Sequence, residues 1–191
     1  LMHRRMRARG IDPNEATTLD RLACLGANTM GALTFAPATA EGQDSRDLTL
    51  LELAQEVQAV LADEGHQVLA ELARAGMPPG GARPKANVFF NPTTGQMSTQ
   101  ARRVPGAQAW LVKFPGDDDE LDSCALEELY ALMARHCQLG ISATRFFQLP
   151  GGLTAFGTQR FDRRGEERVH VHSLAGLLHA NFQEPSVSYE D

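Results

Sequence analysis

The chain has 191 residues, 42% of them hydrophobic and 22% charged, and a formal net charge of -6. That is enough for one well-buried domain or two small ones, with the composition of an ordinary soluble globular protein. The acidic balance argues against direct duplex-DNA binding; no apolar run is long enough to cross a bilayer, and the cationic opening LMHRRMRARG lacks the apolar core of a secretory signal.

Cys24, Cys124 and Cys137 are widely spaced with no CxxC pattern, which fits reduced thiols in a cytoplasm and argues against a zinc site. The chain opens on Leu1 and closes on SVSYED, and both ends read as cut, so a piece of a longer protein is expected.

Taken in chain order, Asp12-Pro13-Asn14-Glu15 is a helix-start signature opening a short turn. Thr18 is expected to cap a helix through LDRLACLG, with Leu19, Leu22 and Ala23 on one face and Gly26 as the stop. MGALTFAP alternates weakly and predicts a short strand ending at Pro37, and 37–47 reads as an exposed linker. Leu50, Leu53, Ala54, Val57, Val60 and Leu61 recur at helical spacing, and Val68, Leu69, Leu72 and Ala73 resume it after Gly65. An α-hairpin or one broken helix is predicted there, stopped by Gly76 and Pro78.

The period then changes from 3.6 to two. KANVFF, the turn NPTTG and QMSTQ read as a hairpin, and AWLVKFP as a further strand. The acidic loop GDDDELD leads into a helix, SCALEELYALMARHCQLG, ended by Gly140. TRFFQL and LTAFGTQRF form a second hairpin about PGG. ERVHVHS is a short strand running into the helix SLAGLLHANF, with Ser173 at its N-cap. Strands joined mainly by hairpins, with one helix inserted, predict an α+β fold on an antiparallel sheet.

The stretch PPGGARPKA concentrates the chemistry. Gly80 and Gly81 let backbone N–H groups approach an anion, and Arg83 and Lys85 add positive charge, as a polyphosphate requires. Neither a Walker A loop nor GxGxxG is present, and a plain turn entering the hairpin is the competing reading. In AWLVKFP, Trp110, Val112 and Phe114 share one face and Leu111 and Lys113 the other. A cation in such a strand needs an exposed edge or a partner; Glu127 and Glu128 on the next helix are candidates for the partner. Glycine-rich loop, strand pair, strand lysine, acidic helix and hairpin follow one another as in a protein-kinase N-lobe.

His170 and His172 alternate onto one strand face, but no third ligand lies near them in sequence, so ordinary packing is preferred to a metal pair. No metal site is expected in this segment. A hydrolase is disfavoured because no G-x-S-x-G context occurs.

The segments GGARPKA, WLVKFP, ELYALMARHCQLGI, TQRFDRRGEERVHVHSLAGLL and SYED resemble the HipA family of bacterial serine/threonine kinases, the toxins of type II toxin–antitoxin modules. ARGIDPNEATTLDRLACLGANTMGALTF resembles the end of that family's N-terminal subdomain. The resemblance implies four regions: the end of that subdomain at 1–47, a helical connector at 48–76, a kinase N-lobe at 77–172, and the start of a largely absent C-lobe at 173–191. It implies ATP, with Gly80, Gly81, Ala82, Arg83, Pro84 and Lys85 as the phosphate loop. Lys113 would touch the α/β-phosphates and Glu127 would be its helical partner; Gln159, Arg160 and Phe161 would form the hinge facing the adenine. Asp162, Arg163 and Arg164 belong to the RFDR signature and are expected to form structural ion pairs.

Two departures qualify this. Pro78 and Pro79 stand where some family members carry an autophosphorylated serine, and the catalytic Asp, Asn and Mg2+-binding Asp of a kinase fall beyond Asp191. The Mg2+ ligands are therefore expected elsewhere, and the 191 residues alone are expected not to transfer phosphate. The implied partners are a small helix-turn-helix (HipB-like) antitoxin, through which any DNA contact would pass, and a protein substrate such as an aminoacyl-tRNA synthetase. The alternative is a non-catalytic nucleotide-binding or antitoxin-docking module.

Overall fold

The computed structural model describes residues 6–7, 10–26, 29–38, 47–61, 83–100, 104–116 and 122–181. The first helix, α1 (Thr18–Leu25), starts on a capping box in which Asp20 N–H donates to Thr17 Oγ1 and Thr17 N–H donates back to the Asp20 carboxylate. The cap is thus Thr17, one residue before the expected Thr18, because only Thr17 has an acid three residues on. Gly26 ends the helix, its N–H donating to the Leu22 carbonyl. Asp12 closes a local turn, its carboxylate accepting from Asn14 N–H at 2.9 Å.

The predicted strand at MGALTFAP does not form: among the described residues 29–38 take no ladder partner. Gly31 sits at φ 71°, which breaks an extended path, and arginine side chains from 160–168 take carbonyls that a neighbouring strand would otherwise satisfy.

Helix α2 (Leu50–Leu61) also opens on a reciprocal box, between Thr49 and Glu52. Its entry is pinned to the sheet by Asp47, whose carboxylate accepts from Ser98 Oγ at 2.6 Å and Thr99 N–H at 3.1 Å. The second half of the predicted helical pair, 62–76, lies outside the described residues.

The sheet holds β1 (Lys85–Phe90), β2 (Met97–Ser98), β3 (Gln108–Lys113), β4 (Thr144–Gln148) and β5 (Thr154–Gln159) in the order β2-β1-β3-β5-β4, every pair antiparallel. Both predicted hairpins are present, β4–β5 turning through Pro150–Gly152 with Gly151 and Gly152 at positive φ. Helix α3 (Ser123–His136) is inserted between β3 and β4. It stops earlier than the expected Gly140, because Gln138 turns left-handed at φ 60°.

A separate ribbon pairs β6 (Arg163–Arg164) with β7 (Glu167–Arg168), so the expected strand ERVHVHS is in a ladder only at its start. Helix α4 (Leu174–Leu177) begins at Ser173, whose Oγ accepts from Gly176 N–H.

Period-two patterning decides which face is which. Ala86, Val88 and Phe90 of β1, Trp110 and Val112 of β3, then Phe114 and Ala155, bury with Leu48, Leu50, Leu53, Ala54 and Val57 in one apolar cluster. Phe90 anchors it edge-on against Trp110, with ring centroids 5.1 Å apart. The opposite face, carrying Lys85, Leu111, Lys113 and Phe156, is left to α3, whose Cys124 and Ala131 are buried. The fold is α+β: a five-stranded antiparallel sheet with one apolar face and one face on which charge gathers.

Candidate functional site

Lys113 ends β3, and β3 lies between β1 and β5, so it is not an edge-strand lysine with open water on one side. Its Nζ donates to Glu127 Oε2 of α3 at 2.5 Å and stands 5.5 Å from the centre of the Phe156 ring on β5. Both side chains of the pair remain partly open, 29% exposed for Lys113 and 22% for Glu127. The neighbouring Glu128 turns away and accepts from Arg135 at 3.0 Å.

Two more cations join this pair. Arg83 Nη1 donates to the other oxygen of Glu127 at 2.9 Å. Lys85 stands directly opposite Lys113 in the β1–β3 register, with its Nζ donating to the Arg83 carbonyl at 3.0 Å. Burial, followed by the like charge of Lys113, pushes the Lys85 ammonium below its usual pKa, against an opposing pull from Glu127. Among the described residues the Glu127 carboxylate bridges Arg83 and Lys113, and Lys85 stands beside them. Pro84 fixes the approach, its carbonyl accepting from Phe114 N–H at 3.0 Å. Gly80, Gly81 and Ala82 lie outside the described residues.

The expected hinge lies at the far end of β5. Gln159 N–H donates to the Ala143 carbonyl and Arg160 N–H to the Ala109 carbonyl, while the Phe161 side chain is exposed. Arg160 itself turns inward. Its Nε and Nη2 grip the two oxygens of Asp162 at 2.9 and 2.8 Å, and Arg163 Nη1 reaches Oδ2 at 2.7 Å. The backbone N–H of Gly31 donates to the same oxygen at 2.7 Å.

The side chain of Asp162 is fully buried, yet its carboxyl is held below its ordinary pKa. Burial pushes it up, and the hydrogen bonds from Arg160 and Gly31 together with the charges of Arg160 and Arg163 outweigh that push. Arg163 Nη2 and Arg160 Nη2 also donate to the Thr29 carbonyl, Arg163 Nη1 to Gly31 and Arg168 Nη1 to Leu33. Arg164 is exposed on β6.

Sequence reasoning placed Arg83, Lys85, Lys113 and Glu127 in one site but missed that Arg83 and Lys113 divide the two oxygens of Glu127. Counting the hairpin register would have set Lys85 opposite Lys113. Nothing local marks Gly31 as the partner of Asp162.

Other candidates stay apart. The His170 and His172 rings are 6.5 Å from each other, and no group of three or more His, Cys, Asp or Glu able to hold a metal ion occurs among the described residues. Burial pushes the Cys124 thiol up, away from the reactive thiolate. No helix of the described residues is long and apolar enough to span a membrane.

No curated protein matches the chain. The family model of the HipA-like C-terminal domain matches residues 77–191, which take in the whole sheet, α3, the cation cluster and the buried Asp162. Because that match covers more than half of the sequence, the chain belongs to the HipA-like family.

Proposed function

We propose that this chain is the nucleotide-binding part of an ATP-dependent protein serine/threonine kinase of HipA type, its sheet and α3 forming a kinase-like N-lobe over residues 77–172. The observation that carries this reading is that Arg83 and Lys113 divide the two oxygens of Glu127 while Lys85 stands opposite Lys113 in the strand register. A lysine on the third strand paired with a glutamate on the next helix is the arrangement that kinases use to hold the α/β-phosphates.

The residues present fit such a ligand. Lys85 is depressed by burial beside a second ammonium, so an anion placed between them would relieve both. Lys113 would hold phosphate oxygens while Glu127 keeps its ammonium aimed, and Arg83 would contribute a forked donor. Gly80, Gly81 and Ala82 would add backbone donors, and Gln159 and Phe161, with Arg160 between them, would present hinge backbone to the adenine. Bound ATP with Mg2+ would supply the transferable phosphoryl group. Residues 1–47 would close the N-terminal subdomain, 48–76 would connect it, and 173–191 would begin the C-lobe.

In this reading the substrate is a hydroxyl on a protein, such as an aminoacyl-tRNA synthetase, and a helix-turn-helix antitoxin restrains the enzyme in the cytoplasm. Calorimetric titration of the chain with a non-hydrolysable ATP analogue tests it. Binding weakened ten- to a hundredfold by Lys113→Ala is expected, the loss of one charge-assisted contact of about 1.5–3 kcal/mol. Equal affinity of the two proteins would remove Lys113 from the site.

A further inference from the structure

We infer that the segment 29–33 positions the end of β5 and is therefore part of the nucleotide site, an inference that rests on reading Gln159–Phe161 as the adenine-facing hinge. Arg160 is where the two structures meet. Its main-chain N–H donates to the Ala109 carbonyl of β3, while its side chain closes on Asp162 and on the Thr29 carbonyl. A shift of the segment reaches Gln159 through one residue. Phe161 is 64% exposed and is flanked by Arg160 and Asp162, the two residues locked into the clasp. The backbone at Phe161 is held by its two anchored neighbours.

The grip on the segment is almost wholly on its backbone. Asp162 accepts from the Gly31 amide, and Arg160, Arg163 and Arg168 together take the carbonyls of 29, 31 and 33, alternate residues of one strip. Side-chain identity matters at Thr29, whose hydroxyl accepts from Arg168 Nη1 and donates to the Leu33 carbonyl, and at Gly31. Gly31 is at φ 71°, and a Cβ there would lie 3.1 Å from the Val171 backbone nitrogen. Gly31→Ala therefore loosens the clasp without touching any hinge residue, and Asp162→Asn loosens it from the other side.

The test uses the whole chain and two probes, adenosine and inorganic tripolyphosphate, titrated separately and followed by NMR. Each variant is expected to weaken adenosine binding at least tenfold while tripolyphosphate, held by the distant cation cluster, changes less than twofold. That split is one a merely structural role would not produce. Unchanged adenosine affinity in both variants overturns the inference and leaves the nucleotide reading standing. Loss of both probes together, with loss of cooperative unfolding, overturns it in favour of a purely structural clasp. A wild-type chain that binds neither probe overturns the nucleotide reading, and this inference with it.

Discussion

The two ionic clusters of this molecule use the same side chains to opposite ends. Around Asp162, arginines and backbone groups surround one fully buried carboxylate, and the excess positive charge is spent on the carbonyls of 29, 31 and 33. Around Glu127, the cations stay partly exposed on the face of the sheet that α3 covers. A buried carboxylate held by this many donors ties a structure together. A cluster whose cations still meet solvent leaves room for a ligand.

The contrast can be broken most forcefully at Asp162. Asp162→Ala leaves the buried Arg160 without its counter-ion, so urea denaturation is expected to show a loss of about 3–5 kcal/mol. A loss below about 1 kcal/mol would place this cluster in the same class as the exposed one. Lys113→Ala should do the reverse, costing at most about 1 kcal/mol of stability in the same denaturation experiment because the pair is partly exposed.

Arg83→Ala sharpens the comparison further. Glu127 keeps Lys113, so thermal unfolding should shift by no more than about 1 kcal/mol, while affinity for tripolyphosphate falls. A smaller effect separates the clusters by pH. The folded pKa of Asp162 lies below the unfolded value near ~3.9, so its contribution is fully present above that pH and is lost as pH falls through the lowered folded value. Acid denaturation should therefore be shallower in Asp162→Asn than in wild type, and identical acid limbs would refute the assignment.

Much of the sheet was legible because its signals are local. NPTTG and PGG announce their hairpins, and the switch from period 3.6 to two marks where the sheet begins. Lys113 and Glu127 stand 14 residues apart, close enough for one strand–helix step to bring them together. The clasp is another matter. Gly31 and Asp162 are separated by 131 residues, and no periodicity or turn chemistry links them. MGALTFAP was misread for the same reason. Its weak alternation suits a strand, but its backbone groups are satisfied by side chains that only the tertiary fold delivers. Thr17 shows a smaller failure: two adjacent threonines both suit a cap, and the position of Asp20 chooses between them.

The opposition of Lys85 and Lys113 across one strand pair has a consequence for ionic strength. Two ammonium groups in register repel each other, and dissolved salt screens that repulsion over about 10 Å at 0.1 M. Adding salt should thus soften that repulsion together with the attraction of Glu127, and make the same corner a poorer trap for anions, so tripolyphosphate affinity is expected to fall along a salt titration.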